Sequence, residues 1–196
     1  MTSIPFDHPH VLAAVALIPS RFHARCWIAG SAACRWPEAW DAGGDLDVWI
    51  VGLNGTEEFE LLTLLGVLPL AMPGPDDVDY ANGSLLAYTG DRTHILLTRY
   101  SIEEVVEHFD IACHAGAVAL DGRTYRHPSY STHPTILSNR DGRFAQKSLA
   151  RAFKFAARYD DWALWEDPTT QQTVLLAFDL AACTPQQKWM LVRAGL

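Results

Sequence analysis

Two aspartates separated by a single residue, Asp45 and Asp47, are the side chains whose types and spacing most directly indicate chemistry. They lead into an apolar run that ends at Val51, so we predict a strand over residues 45–51. Side chains two residues apart on a strand point to the same face, so both carboxylates should project together. Paired carboxylates repel each other unless a cation lies between them, and oxygen ligands suit Mg²⁺ or Mn²⁺. The pair therefore predicts a divalent-metal site; the alternative is a solvent-facing strand after an ordinary turn at residues 43–44.

A Gly-Ser turn, Gly30-Ser31, lies upstream of the aspartates and is separated from them by residues 32–44. It follows a predicted apolar strand over residues 26–29 and begins a predicted short helix over residues 31–35. Backbone N–H groups and the serine hydroxyl at such a turn can bind a phosphate group. A phosphate site beside a divalent metal is the equipment of proteins that handle nucleoside triphosphates.

Gly-Ser, a spacer and then Asp-apolar-Asp on a strand resembles the signature of the DNA polymerase β-like nucleotidyltransferase superfamily, over residues 26–52 of this chain. The resemblance implies that Gly30 and Ser31 contact the β- and γ-phosphates, and that Asp45 and Asp47 hold the metal ions. It also implies an α+β fold with a small mixed or antiparallel sheet and flanking helices. The implied reaction moves a nucleoside monophosphate from a nucleoside triphosphate to a hydroxyl acceptor and releases pyrophosphate.

One position departs from the pattern of that superfamily. Active members usually carry a third carboxylate on a neighbouring strand, but the strand predicted here over residues 93–99 contains no acid. Asp91 and Asp110 are possible replacements, and His94 could accept a proton from an incoming hydroxyl. Two hypotheses follow: an enzyme with a substituted third ligand, or a catalytically degenerate protein that binds nucleotide or regulates a partner.

A second segment, residues 101–125, carries a weaker resemblance. Ser101 and Glu104 have the spacing of a capping box at the start of a helix, which should run into a strand over residues 111–120. An Asp-Gly pair at residues 121–122 then predicts a tight hairpin. A helix followed by such a hairpin resembles small nucleotidyltransferase-like proteins of phage and bacterial genomes.

A basic stripe is predicted on a helix over residues 142–159. Its members recur at intervals of three or four residues and therefore share one helix face: Arg143, Lys147, Arg151, Lys154 and Arg158. Like charges at this spacing repel each other, so the stripe suggests a counter-anion. We take Lys147, Arg151 and Lys154 as candidate nucleotide-binding residues, with the arginines also suited to an anionic acceptor. The alternative is that the stripe faces acidic surface of the same molecule.

Composition sets the remaining expectations. The chain has 196 residues, 49% of them hydrophobic and 19% charged, which is typical of a globular protein. We predict an α+β core over residues 1–139 and a helical segment over 140–196 that packs on it. A net charge of −8 argues against a duplex-DNA surface, and no apolar run is long enough for a membrane span. The partners expected are therefore a nucleoside triphosphate and an acceptor that is RNA, protein or a small molecule.

Four cysteines lie far apart in the sequence, without the close pairs of a zinc site. We expect buried thiols, with Cys26 and Cys113 inside strands, and a reducing, cytoplasmic location. The remaining predicted elements are helices over residues 9–18, 56–68, 170–182 and 185–193, a loop over 69–82, and a hairpin of strands 84–89 and 93–99.

Overall fold

A six-stranded mixed sheet forms the framework that carries the predicted site. The strands are β1 (Cys26–Ala29), β2 (Leu46–Ile50), β3 (Ser84–Gly90), β4 (Thr93–Thr98), β5 (Gly116–Ala119) and β6 (Thr124–Arg126). Their order across the sheet is β3-β4-β2-β1-β5-β6. Among the described strands, β2 and β4 pair in parallel, and the four other pairings are antiparallel. The predicted α+β class and mixed sheet are therefore confirmed.

The computed structural model describes residues 6–66, 84–90, 92–137, 145–165, 181 and 183–193, with backbone alone at 84–90, 145–147, 187 and 190. Contacts divide the chain into two compact units. Unit 1 comprises Met1–Glu107 with Gly116–Arg126, and unit 2 comprises His108–Ala115 with His127–Leu196. The helices of unit 1 are α1 (Pro9–Ala16), α2 (Ser31–Cys34), α3 (Glu38–Asp41), α4 (Gly55–Leu64) and α5 (Ile102–Glu107). Unit 2 contains α6 (Ala145–Tyr159) and α7 (Pro185–Arg193).

The central strands of unit 1 are apolar without strict alternation. All four residues of β1 are buried, and in β2 only Asp47 is not fully buried. Strands covered on both faces read as continuous hydrophobic runs. This explains why β1 agrees with the sequence prediction at both ends and why β2 lies within its predicted range.

Capping residues set the starts of two helices in unit 1. At α4 the Asn54 side chain accepts from the backbone of Glu57, whose carboxylate accepts in return from the Asn54 backbone. At α5 the Ser101 backbone N–H donates to Glu104 at 2.8 Å, and the Glu104 N–H donates to the Ser101 hydroxyl at 3.3 Å. The predicted capping box at residues 101–104 is therefore confirmed.

Unit 2 has its own apolar core. Leu149, Phe153 and Ala156 of α6 are buried in it. The predicted helix over residues 185–193 is confirmed as α7. The helix predicted over 170–182 and the loop over 69–82 lie outside the described residues, apart from Ala181.

The strand predicted over residues 111–120 is wrong in its first half. Ala112–His114 form a turn of 3₁₀ helix, and β5 begins only at Gly116. The Ala112 N–H donates to the carbonyl of Thr135 at 2.8 Å, which takes this backbone out of the sheet. The following hairpin at residues 121–122 joins β5 to β6 as predicted.

The cysteines are buried and carry no disulfide among the described residues. Cys26 lies in β1, where burial raises the pKa of its thiol to about 12. Cys113 is buried as expected but lies in the 3₁₀ turn and not in a strand. In the described parts of the chain, no helix combines the length and the apolar character needed to cross a membrane.

Candidate functional site

One edge of the sheet brings the predicted phosphate turn and the predicted metal ligands together. β1 is antiparallel to β2, and β2 is parallel to β4, so the carboxyl end of β1 meets the amino ends of the other two. In this register Asp47 pairs with Ala29 on one side and with His94 on the other. Gly30 follows Ala29 directly, so the turn begins beside the second aspartate.

Asp47 and His94 form the central contact of this edge. The His94 Nδ1 lies 3.1 Å from Asp47 Oδ1, and the two side chains are 21% and 33% exposed. This hydrogen bond raises the pKa of His94 above its ordinary value; desolvation opposes the rise, and the charges of Asp47 and Asp45 add to it. His94 therefore orients one carboxylate oxygen of Asp47, and the negative charges of both aspartates act on its imidazole.

Gly30 adopts a backbone conformation that explains the residue type. Its φ of 78° and ψ of −147° lie in a region that is almost exclusive to glycine. A Cβ at this position would lie 4.0 Å from Asp47 Oδ2, so the turn passes beside the second carboxylate oxygen. The Gly30 N–H already donates to the carbonyl of Gly116 at 3.1 Å. A phosphate at this turn would therefore have to bind to groups that follow Gly30.

Ser31 begins α2, which is a single turn of four residues. The N–H groups of the first residues of any helix have no partner within the helix, and no side chain caps this one in the described structure. Such a short helix has little macrodipole, because the macrodipole is a sum over aligned peptide units. The Ser31 hydroxyl and the N–H groups of Ser31 and Ala32 are consequently the groups suited to a phosphate.

Asp45 lies just before β2, whereas the sequence predicted it as the first strand residue. The strand begins at Leu46, whose N–H donates to the carbonyl of Arg92 at 2.8 Å. Gly43, with a φ of 81°, turns the chain immediately before this point. Asp45 is exposed, and its charge nevertheless reaches His94.

The sequence analysis did not identify Arg92, which contacts the segment in front of the aspartates. Its Nε and Nη2 donate to the carbonyl of Gly44 at 3.1 and 2.9 Å, and Nη2 also donates to the carbonyl of Trp40. The guanidinium carbon lies 3.8 Å from the centre of the Trp40 ring. No local pattern could have revealed this residue, because its partners lie about fifty positions earlier in the chain.

The donor set fits a divalent ion that takes part of its coordination from a substrate. In the part of the chain that the structure describes, no group of three or more His, Cys, Asp or Glu side chains is arranged to hold a metal. Mg²⁺ is commonly bound by one or two carboxylates together with water and substrate phosphates. Asp45 and Asp47, beside a turn that is predicted to bind phosphate, match that requirement.

The candidate residues of the basic stripe belong to unit 2. Arg151 donates to Asp110 at 3.4 Å, and Lys154 is exposed. The side chain of Lys147 and the whole of Arg143 lie outside the described residues.

Asp110 and Asp91 are the other possible replacements for the third carboxylate. Asp110 is buried in unit 2, where its carboxylate accepts from the Ser148 hydroxyl at 2.8 Å as well as from Arg151. Asp91 lies outside the described residues. Within the described chain, the residue that stands beside Asp47 on the neighbouring strand is therefore His94.

No protein-family model matches the chain, and no curated protein sequence matches it. The chemistry of the site therefore has to be inferred from the arrangement of its own residues.

Proposed function

We propose that the protein is a metal-dependent nucleotidyltransferase with a sheet of the DNA polymerase β-like type. The observation that carries the proposal is the single sheet edge at which Gly30, Ser31, Asp45 and Asp47 lie together. Residues separated by the spacer 32–44 converge there only because β1 and β2 pair antiparallel. A phosphate-binding turn beside two carboxylates suits the triphosphate of a nucleotide.

Each side chain has a defined task in this proposal. Ser31 binds the β- and γ-phosphates through its hydroxyl and the adjoining N–H groups, while Asp45 and Asp47 hold Mg²⁺ or Mn²⁺. The metal, when bound, neutralises phosphate charge and stabilises the transition state of phosphoryl transfer. An acceptor hydroxyl then attacks the α-phosphorus and loses its proton to water. A P–O bond to the acceptor forms, and the bond to the pyrophosphate leaving group breaks.

His94 supports the proposal by fixing the orientation of Asp47. It is bonded to Oδ1, while Oδ2 lies on the side of the Gly30 turn. Carboxylates that ligate metals are commonly held by a hydrogen bond of this kind, which keeps the second oxygen directed at the metal. The arrangement therefore presents Oδ2 toward the place where phosphate is proposed to bind.

A catalytically degenerate binding or regulatory protein is the second candidate. It is favoured by one observation: the strand next to Asp47 offers His94 where active members of the superfamily carry a third carboxylate. Such a protein would bind nucleotide at the same edge without turnover. Metal-dependent release of pyrophosphate separates the two candidates.

The donor site can be tested by thermal-shift titration of the full chain with each nucleoside triphosphate, in Mg²⁺ or in EDTA. A ligand at a hundred times its dissociation constant stabilises the folded state by about 2.7 kcal/mol. We expect stabilisation in Mg²⁺, its loss in EDTA, and its loss in Asp47→Asn.

The matched control is Asp121→Asn. Asp121 lies in the β5–β6 hairpin at the opposite edge of the sheet, where its carboxylate accepts from Arg123 at 2.8 Å. This variant should keep the nucleotide response of the wild type. No shift with any nucleoside triphosphate, or an equal loss in both variants, would overturn the proposed donor site. If the shift is present, pyrophosphate release with RNA, protein and small-molecule acceptors decides between enzyme and binding protein.

A further inference from the structure

Arg92 connects the amino end of β4 to the segment that precedes the two aspartates. Its guanidinium donates to two carbonyls, those of Trp40 and Gly44, and stacks on the Trp40 ring. Its own carbonyl accepts from the N–H of Leu46, the residue between Asp45 and Asp47. Side chain and backbone of one residue therefore hold both ends of the short segment 40–46.

The backbone of Arg92 is in a conformation that does not suit an arginine. Its φ is 57°, in the left-handed region that residues with a Cβ rarely adopt. A glycine would adopt this conformation more easily, since it lacks the Cβ that causes the steric clash at positive φ. The local backbone therefore gives no reason for an arginine at this position. Among the described residues, the contacts of its side chain are with segment 40–46.

The guanidinium is suited to this task in a way that a lysine ammonium is not. Its planar fork of N–H groups reaches two carbonyls at once while its face stacks on an aromatic ring. A lysine at the same position would offer a single charged centre and could not reproduce the fork and the stack together. The geometry of the contact thus depends on arginine itself.

We propose that Arg92 is a positioning residue of the nucleotide site: it fixes segment 40–46 so that Asp45 and Asp47 stand in the geometry that binds the metal–nucleotide complex. This inference rests on the proposed function for its ligand. Arg92 acts through backbone carbonyls and does not itself touch the substrate.

Two variants and one matched control test the role. Arg92→Lys keeps the charge but loses the fork, and Arg92→Gly removes the side chain while suiting the positive φ. The control is Arg123→Lys, since Arg123 also donates to a carbonyl, that of Ala24 at 2.9 Å, and lies 5.2 Å from the ring of Trp27. Arg123 follows β5 at the opposite edge of the sheet.

The readout is the Mg²⁺ concentration that gives half of the nucleotide-induced thermal shift, with the nucleoside triphosphate that stabilises the wild type most. We expect this concentration to rise roughly tenfold in both Arg92 variants, the effect of losing one hydrogen bond that involves a charged group. It should be unchanged in Arg123→Lys. The unliganded melting temperature of Arg92→Gly should stay near that of the wild type, which separates positioning from general stability. An unchanged Mg²⁺ requirement in both Arg92 variants would overturn the inference.

A nucleotide-free measurement keeps this inference separate from the proposed function. Amide hydrogen exchange at Leu46 and Asp47 should accelerate in both Arg92 variants, whereas exchange at Ala119 in β5 should not change. If the wild type binds no nucleoside triphosphate, the proposed function fails, and exchange alone decides whether Arg92 holds the segment. Unaltered exchange at Leu46 and Asp47 would refute the positioning role in either case.

Discussion

Replacing Arg99 by methionine should lower the free energy of unfolding of unit 1 by more than the loss of an ordinary surface ion pair does. Glu58 of α4 is only 5% exposed, and both Nε and Nη2 of Arg99 donate to its Oε2, at 2.8 and 2.6 Å. The arginine side chain itself is 65% exposed. Arg99→Met would remove the charged partner of a carboxylate that is almost inaccessible to water.

The magnitude follows from the burial of Glu58. Removing one partner of a fully buried pair costs about 3–5 kcal/mol, and a hydrogen bond to a charged group contributes about 1.5–3 kcal/mol. Because water reaches the arginine, which is 65% exposed, we expect the lower end of the second range, about 1.5–2 kcal/mol. For a chain of this size, each kcal/mol lowers the melting temperature by about 2–4 °C, so the loss corresponds to about 3–8 °C.

The matched control is a second ion pair on the same helix. Arg21 pairs with Glu60, and these side chains are 57% and 42% exposed. Exposed pairs contribute about 0–1 kcal/mol, so Arg21→Met should change stability little. Urea unfolding followed by circular dichroism measures the free energy of unfolding of both variants and of the wild type.

A double variant provides the decisive comparison. Glu58→Met together with Arg99→Met removes the buried charge as well as its partner, so it should be more stable than Arg99→Met alone. Equal losses in Arg99→Met and Arg21→Met would refute the reasoning from burial. The same conclusion would follow if the double variant were no more stable than the single one.

Two further predictions concern the edge of the sheet that carries the site. In metal-free protein, NMR titration should find the pKa of His94 above its ordinary value and should find it lowered toward that value in Asp47→Asn. The folded-state pKa of His94 is raised, so the stability that the His94–Asp47 contact contributes is fully present below the pKa of His94 in the unfolded chain. It is lost as the pH rises through the pKa of His94 in the folded protein. An Asp47→Asn variant whose stability has the same pH dependence as that of the wild type would contradict this. Gly116→Ala should destabilise unit 1 by about 1–3 kcal/mol, since a Cβ there would lie 2.9 Å from Cys34 Sγ and 3.3 Å from the carbonyl of Tyr125. Thermal unfolding measures the loss, and the addition of Cys34→Ala should recover part of it; recovery of none would show that the sulfur contact is not the cause.

Local sequence patterns were sufficient for the elements that depend on local interactions. Residues 101–104 contain both halves of a capping box, and the Asp-Gly pair at 121–122 joins two strands; both form as predicted. The apolar run that contains β2 predicted its strand, with an error of one residue at each end, at Asp45 and at Val51. In these cases the groups that decide the structure lie within a few positions of each other.

Features that depend on distant parts of the chain could not be predicted in the same way. The 3₁₀ turn at Ala112–His114 forms where the Ala112 N–H finds an acceptor in Thr135, and an apolar sequence alone resembles a strand. The contact of Asp47 with His94 requires the parallel register of β2 and β4, which no spacing within either strand determines. The sequence could therefore identify Asp45 and Asp47 as candidates, but it could not predict the contact with His94 or the role of Arg92.

Each of the two units contains two of the buried thiols described above. The reactivity of these thiols can therefore report the local opening of each unit. Cys26 and Cys34 belong to unit 1, and Cys113 and Cys183 belong to unit 2. The thiolate is the nucleophile that attacks an alkylating reagent, so a buried sulfur reacts only when its surroundings open. Mass spectrometry of the labelled peptides would then time the opening of each unit separately, without a probe being added to either one.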